Sequence, residues 1–360
     1  MESVGVEMMD LSFYKGKKVL ITGHTGFKGS WLSYVLARSG AVVVGYSLEP
    51  PTEPSLFEIA DIETLVTNNI GDIRDLEHLK KVFLKESPEI VFHLAAQPIV
   101  RTSYEDPVYT YETNVMGTVN LLECCRLVDS VKSVVNVTTD KVYKNNEWEW
   151  GYRENEMLDG YEPYSNSKSC SELVTASYKR SFLDAQGIAV STARAGNVIG
   201  GGDFSKDRII PDCFRAASKG EAINVRNPYS TRPYQHVLEP LFAYLLIAER
   251  QCSNPEMSNS FNVGPDEIDC VTTGQLTDLF CSCWGNITWN KNDKKEVFHE
   301  ANFLKLDNSK IKQAFNWKPT WHVEQMMELT VRWYKAFLNH EDIRAEMNEQ
   351  IERFIHDNNN

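Results

Sequence analysis

The segment KKVLITGHTGFKG, residues 17–29, carries an apolar run straight into three glycines spaced three apart, Gly23, Gly26 and Gly29. A helical pattern, WLSYVLARSG, follows at once. Glycines at this spacing allow a tight turn after a strand. They also let backbone N–H groups approach a diphosphate at the helix N-terminus and let the helix pack close to the strand. A glycine triplet alone says little, but strand before and helix after is the context that makes it informative. The segment predicts a dinucleotide site built on Gly23, Thr25, Gly26, Phe27, Lys28 and Gly29.

Working outward, short β-branched runs alternate with longer helical patterns. AVVVGYSL, LVTNNIGD, EIVFHLAA, SVVNVTT and IAVSTARAG read as strands. RDLEHLKKVFLKES, the segment Val108 to Val128, and Ser165 to Gln186 read as helices between them. Continuous apolar strands separated by helices predict an α/β fold with a Rossmann-type, doubly wound parallel sheet covered on both faces. After Gly200 the rhythm breaks, and Gly, Pro, Arg and aromatic residues become dense. The expected division is a dinucleotide-binding domain over residues 1–195 with a returning segment at about 235–265, and a smaller mixed α/β substrate-binding cap over 196–360.

The chain has 360 residues, 42% of them hydrophobic, enough for a large buried core. Its formal charge of −13 opposes a general affinity for nucleic acid or anionic membrane, so any anion site must be a local cluster of basic groups. The acidic start and the lack of a long apolar run give the expectation of a cytoplasmic protein. The eight cysteines, Cys124-Cys125 and Cys281-Ser-Cys283 among them, form no CxxC pair, and no HExxH occurs. They read as reduced core thiols, with no metal expected.

The second strand pattern runs out near Glu49, twenty positions beyond Gly29, where a carboxylate would accept hydrogen bonds from an adenosine ribose. No Lys or Arg lies between Arg38 and Arg74 to pair with a 2′-phosphate, which favours NAD over NADP. Asp72-Ile73 after the third strand and Ala95-Ala96-Gln97 after the fourth fall at the carboxyl edge of the sheet, where ligands bind in such folds.

The fifth strand pattern gives out in VTTDKVYKNNEWEWGYRE, residues 137–154, setting an acid and an amine side by side at Asp140 and Lys141. Read alone, this is a solvated strand end and a surface loop. Further on, Tyr164 and Lys168 stand four apart at the start of a helical pattern and so share a face. A cation there would favour phenolate and make Tyr164 a base. Thr138 or Thr139 would hydrogen-bond the same substrate hydroxyl. In the turn-rich stretch that follows the sixth strand, Asn197, Arg208, Arg226 and Arg232 supply an amide and guanidinium forks suited to phosphate oxygens. His236 reads as structural, and Trp148 and Trp150 as loop packing.

With these residues in place, the chain from Lys17 to the C-terminal helices resembles the extended short-chain dehydrogenase/reductase family. GHTGFKGSWL, TTDKVY, EWEWGYRE and GNVIGGGDFSKDRIIP are most similar to its sugar-nucleotide 4,6-dehydratases, with a CDP-hexose the favoured substrate. The resemblance implies tightly held NAD, a homodimer joined by a four-helix bundle, and a place in deoxysugar and surface-polysaccharide assembly. It implies that Tyr164 takes the C4 hydroxyl proton, Asp140 protonates the leaving C6 hydroxyl, and the group at 141 acts at C5. Related dehydratases carry Glu there as the base. Lys141 is the main departure, and an ammonium accepts no proton, so Lys141 must be neutral at that step or stabilise the enolate. It also implies Arg232 as the foremost diphosphate contact. A UDP-sugar 4-epimerase, a dTDP-glucose or GDP-mannose 4,6-dehydratase, and a non-catalytic NAD sensor remain the alternatives. The acid at 140 argues against the epimerase, the missing basic residue against an NADP-dependent GDP-mannose enzyme, and the intact Tyr164 and Lys168 against a sensor.

Overall fold

The computed structural model describes residues 10–291 and 301–359. Residues 1–9, on which the reading of the acidic start rests, lie outside them. Seven strands form the main sheet: β1 (Lys18–Thr22), β2 (Val42–Ser47), β3 (Thr67–Ile70), β4 (Ile90–His93), β5 (Ser133–Thr139), β6 (Ala189–Ala195) and β7 (Ser260–Val263). Their spatial order is β7-β6-β5-β4-β1-β2-β3, every neighbouring pair parallel. The chain therefore reverses direction across the sheet between β1 and β4, the crevice where such folds bind ligands.

Burial explains the sequence pattern. Every residue of β4, β5 and β6 is buried, as a strand covered on both faces requires, whereas the polar TNNI of β3 lies at an edge. One face is covered by the helices at 76–86 and 117–127, packed around Leu79, Phe83, Leu121 and Leu122. The other holds the glycine-turn helix α1 (Phe27–Arg38), the helix at 238–253, and the C-terminal helices Val323–Leu338 and Ile343–Asn358. Trp31 of α1 donates its indole N–H to Gly201 O at 3.0 Å, and Tyr34 reaches Asn348 Oδ1 at 2.9 Å, so the last helix is sewn to the first. Asn358, at the end of that last helix, donates to Thr320 Oγ1 at 2.7 Å.

Boundaries shift by a residue or two. β2 ends at Ser47, two residues short of Glu49. The helix read from Ser165 begins at Pro163, because Pro suits the first helical position and Glu162 caps it, accepting from the N–H groups of Tyr164 (2.7 Å) and Ser165 (3.1 Å). It runs to Tyr178 and passes through a π turn at 179–183 into a 3-10 turn that ends at Gln186. The segment read from Val108 to Val128 is helical from Pro107 to Leu127, with a π turn at 112–116. Beyond β6, pairs of short strands at 198–199 with 235–236, 223–225 with 289–291, and 231–233 with 270–272 surround the carboxyl edge of β5 and β6.

Candidate active site

β1 delivers Gly23 in the left-handed region, at φ +77°, where a Cβ would lie 2.8 Å from the backbone nitrogen of Ala95 after β4. Only glycine fits that approach. At Gly26 an added Cβ would meet Gly23 O at 3.4 Å and otherwise point into open space, the room a diphosphate needs above the first N–H groups of α1. Thr25 is buried, its hydroxyl hydrogen-bonded to Ser47 Oγ and Leu48 O, both at 2.9 Å, which ties the turn to the end of β2. Glu49 is exposed beyond it and makes no hydrogen bond or ion pair among the described residues. Asp72 is clasped by Arg74, which also meets Glu112 at 3.0 Å.

Ala96 lines the cavity at the carboxyl edge of the sheet, while Gln97 has another task. Its side chain bonds Thr110 Oγ1 (2.9 Å) and the N–H of Ile99 (2.6 Å), and Asn114 grips its backbone on both sides, accepting at 2.8 Å and donating at 3.1 Å. Gln97 and Asn114 together set the loop after β4.

Side-chain alternation along β5 separates the two threonines. Thr138 donates to Glu172 Oε1 at 2.5 Å, inside a buried network in which Thr192 (2.7 Å) and Arg194 (2.8 Å) share Glu172 Oε2. Thr139 faces the cavity and donates to Asp140 Oδ1 at 2.9 Å. Thr139 is thus the hydroxyl available to a ligand. Asp140 is buried, and its Oδ2 has no partner among the described residues. Burial holds its carboxyl above the ordinary range, against the pull of Lys141, the Thr139 hydrogen bond and Arg232.

Tyr164 stands in the first turn of its helix, and Lys168, one turn on, donates to Val137 O at 3.2 Å. Burial draws Lys168 down to about 8, against the pull of Glu172. The phenol moves opposite to the sequence expectation: burial pushes Tyr164 up to about 12, and Asp140 adds to this, while the Thr139 hydrogen bond and Arg208 oppose it. Desolvation outweighs the opposing charge of Arg208.

These groups line one cavity of about 360 Å³, shared by Lys28, Thr139, Asp140, Lys141, Tyr164 and Lys168. Asn197, Arg208, Arg226 and Arg232 line it as well. Arg208 is held by Asp203 at 3.0 Å, Arg226 by Asp207 at 2.9 Å, and buried Arg232 by the carbonyls of Thr231 and Ala301. Asp207 also meets Arg101 at 3.3 Å across the cavity.

A family profile described as GDP-mannose 4,6 dehydratase matches residues 20–330. The CDP-glucose 4,6-dehydratase of Salmonella typhimurium is 48% identical over 342 residues, 93% of this chain and 95% of that protein. The chain belongs to the NAD-dependent epimerase/dehydratase family of extended short-chain dehydrogenases/reductases. Its fold matches that of UDP-glucose 4-epimerase from Thermotoga maritima, with a TM-score of 0.77 and 23% identity over 89% of this chain and 99% of the other. It also matches dTDP-glucose 4,6-dehydratase from Bacillus anthracis, with a TM-score of 0.75 and 21% identity over 91% of this chain and 100% of the other.

Against that epimerase/dehydratase frame, several residues escaped the sequence reading. Glu162, which seats Tyr164, is announced only by the acid–proline step before a helical pattern. Asn114 and Asp207 act across more than ten residues of chain, and Asp203 reaches Arg208 across five. His236 is buried and accepts from the N–H of Leu238 at 3.3 Å, at the start of the helix at 238–253. Trp148 stacks on Tyr152 at 5.3 Å in a small apolar cluster with Leu304 and Leu306, and Trp150 is exposed against its edge. Neither tryptophan lines the cavity.

Proposed function

We propose that the chain is a CDP-glucose 4,6-dehydratase that forms the 4-dehydro-6-deoxy sugar with loss of water. The observation that carries the reading is Asp140, a buried acid with one unpartnered oxygen, beside Lys141 and in one cavity with Tyr164 and Lys168. The 48% identity to the Salmonella enzyme over nearly the whole chain supports the nucleobase and the cofactor. The glycine turn and the α1 N-terminus fit the diphosphate of NAD, with Glu49, Asp72, Ile73 and the 95–97 loop on its adenosine side. Bound NAD supplies the hydride acceptor for C4 and, once reduced, the hydride donor for C6.

Within that frame each side chain has one proton task. Tyr164, with Lys168 beneath it and Thr139 beside it, takes the C4 hydroxyl proton. The resulting ketone acidifies the C5 proton, which passes to a neutral Lys141 amine, or to another base while Lys141 as an ammonium stabilises the enolate. Asp140 donates its proton to the C6 hydroxyl, which departs as water, and a proton returns to C5 as hydride reaches C6. The neutral acid that this donation needs is the form burial favours at Asp140. Asn197, Arg208, Arg226 and Arg232 hold the nucleotide diphosphate from the turn-rich stretch after β6. The test is direct. Incubated with NAD, the protein is expected to convert CDP-glucose into a 4-keto-6-deoxy product far faster than dTDP-glucose, UDP-glucose or GDP-mannose, and NADP is expected to support less turnover than NAD. Preference for another nucleobase, or for NADP, overturns the corresponding part.

A second observation supports a homodimer. The helical segments at 107–127 and 163–183 expose Val108, Met116, Leu173 and Phe182, with Tyr111 between them bonded to Asn166 at 3.0 Å. Two copies joined through these segments would bury that face as a four-helix bundle. Light scattering at micromolar concentration is expected to give the mass of a dimer, and a monomer mass rules the arrangement out.

A further inference from the structure

Lys28 is the second residue of α1, where the helix dipole disfavours a cation. No acidic residue lies in that first turn to offset it. Its side chain is half-buried, lines the reaction cavity, and has no ion pair among the described residues. The partner recorded for its ammonium is the ring of Tyr244, 6.0 Å away. The charges that face it from other elements include Arg208 after β6, itself held by Asp203, and Lys168 of the catalytic helix, which repel it, and Asp140 at the end of β5, which attracts it. Burial first, then Arg208 and Lys168, lower its amine to about 7, with Asp140 opposing.

We propose that the Lys28 amine is completed by a ligand diphosphate, which it meets as an ammonium that takes up its proton as the ligand binds. The inference rests on the dinucleotide and nucleotide-sugar reading of the cavity. It adds a side-chain contact to the backbone N–H groups that the glycine turn offers. The two diphosphates such a cavity would hold, in NAD and in the sugar nucleotide, share one chemistry, so each is tested separately. Burial favours the neutral form of the amine, and an anion beside it favours the ammonium. Uptake is therefore expected to be larger at pH 8 than at pH 6, where more of the free amine already holds its proton.

The measurement is calorimetric titration of the full-length protein with NAD and, separately, with CDP, in buffers of different ionisation enthalpy at pH 6 and pH 8. Lys28→Met is expected to abolish the pH 8 uptake for the ligand concerned and to weaken its binding roughly 10- to 100-fold. Lys28→Arg keeps the charge, so it should bind well with no uptake, which separates loss of the proton from loss of the fold. The ligand whose uptake depends on Lys28 is the one whose diphosphate it meets. Uptake unchanged in both variants, or absent from the wild type, overturns the proposal. Failure of both NAD and CDP to bind overturns it together with the functional reading. Lys28-dependent uptake without any 4-keto-6-deoxy product removes the proposed activity and leaves the contact standing.

Discussion

Tyr164→Phe is expected to lower turnover of the sugar nucleotide by about 10²- to 10⁴-fold, with little change in melting temperature or NAD affinity. The phenol oxygen is the one atom removed. Its neighbour Thr139 donates to Asp140 Oδ1, so that hydroxyl stays satisfied when the phenol is removed. The ring stays seated, because Glu162 caps the helix through backbone N–H groups and not through the side chain of residue 164. With the phenol held up at about 12 by burial, ionisation in the free protein is unfavourable at neutral pH. Tyr164 is therefore expected to accept the C4 proton only once substrate and NAD are bound. Rapid mixing of the variant with substrate and NAD should show almost no absorbance from NADH. A variant that turns over at the wild-type rate removes Tyr164 from the reaction.

Asp140→Asn and Lys141→Met are expected to fail one step later. Oxidation at C4 calls on Tyr164, Lys168 and Thr139, so both variants should form NADH transiently. Elimination calls for a proton at the C6 oxygen and assistance at C5, so final product should fall by about 10²- to 10⁴-fold in each. The carboxamide introduced by Asp140→Asn would still accept from Thr139 but has no acidic proton to give. With substrate deuterated at C5, Lys141→Met should release deuterium to solvent far more slowly than wild type. A solvated strand end would predict changes within about 0.5 kcal/mol, and Asp140, buried with one oxygen unmet, is not such a position. Normal dehydration in both variants would remove Asp140 and Lys141 from the elimination step.

The parts of this architecture carried by local periodicity were legible in the chain. Apolar strands, the glycine turn and the four-residue spacing of Tyr164 and Lys168 each follow from rules that act within about ten residues, and each stands where its pattern put it. Ends were less legible, because a cap decides them. Pro163 with Glu162 starts the catalytic helix two residues before its apolar pattern, and β2 stops at Ser47, where Thr25 ties off its end. The site's long-range contacts left no local trace. Gln97 lies where a cofactor contact was expected, yet its side chain is a strut between Thr110 and Ile99. The direction of the Tyr164 shift was misjudged for a related reason: spacing reveals the nearby ammonium but not the depth of burial that outweighs it.

The parity of β5 has a consequence for how this chain can vary. Thr138 and Thr139 are chemically the same residue, yet one belongs to the buried Glu172–Arg194 pair and the other to the cavity. Inserting or deleting one residue within 133–139 would exchange those assignments, pointing a hydroxyl meant for ligand into the ion-pair network and turning the acid behind it into the apolar interior. Lengthening the 144–158 segment, much of it exposed, changes no such parity. Relatives of this chain are thus free to drift in length after Tyr143, while the seven residues before Asp140 are bound to an even-numbered grammar.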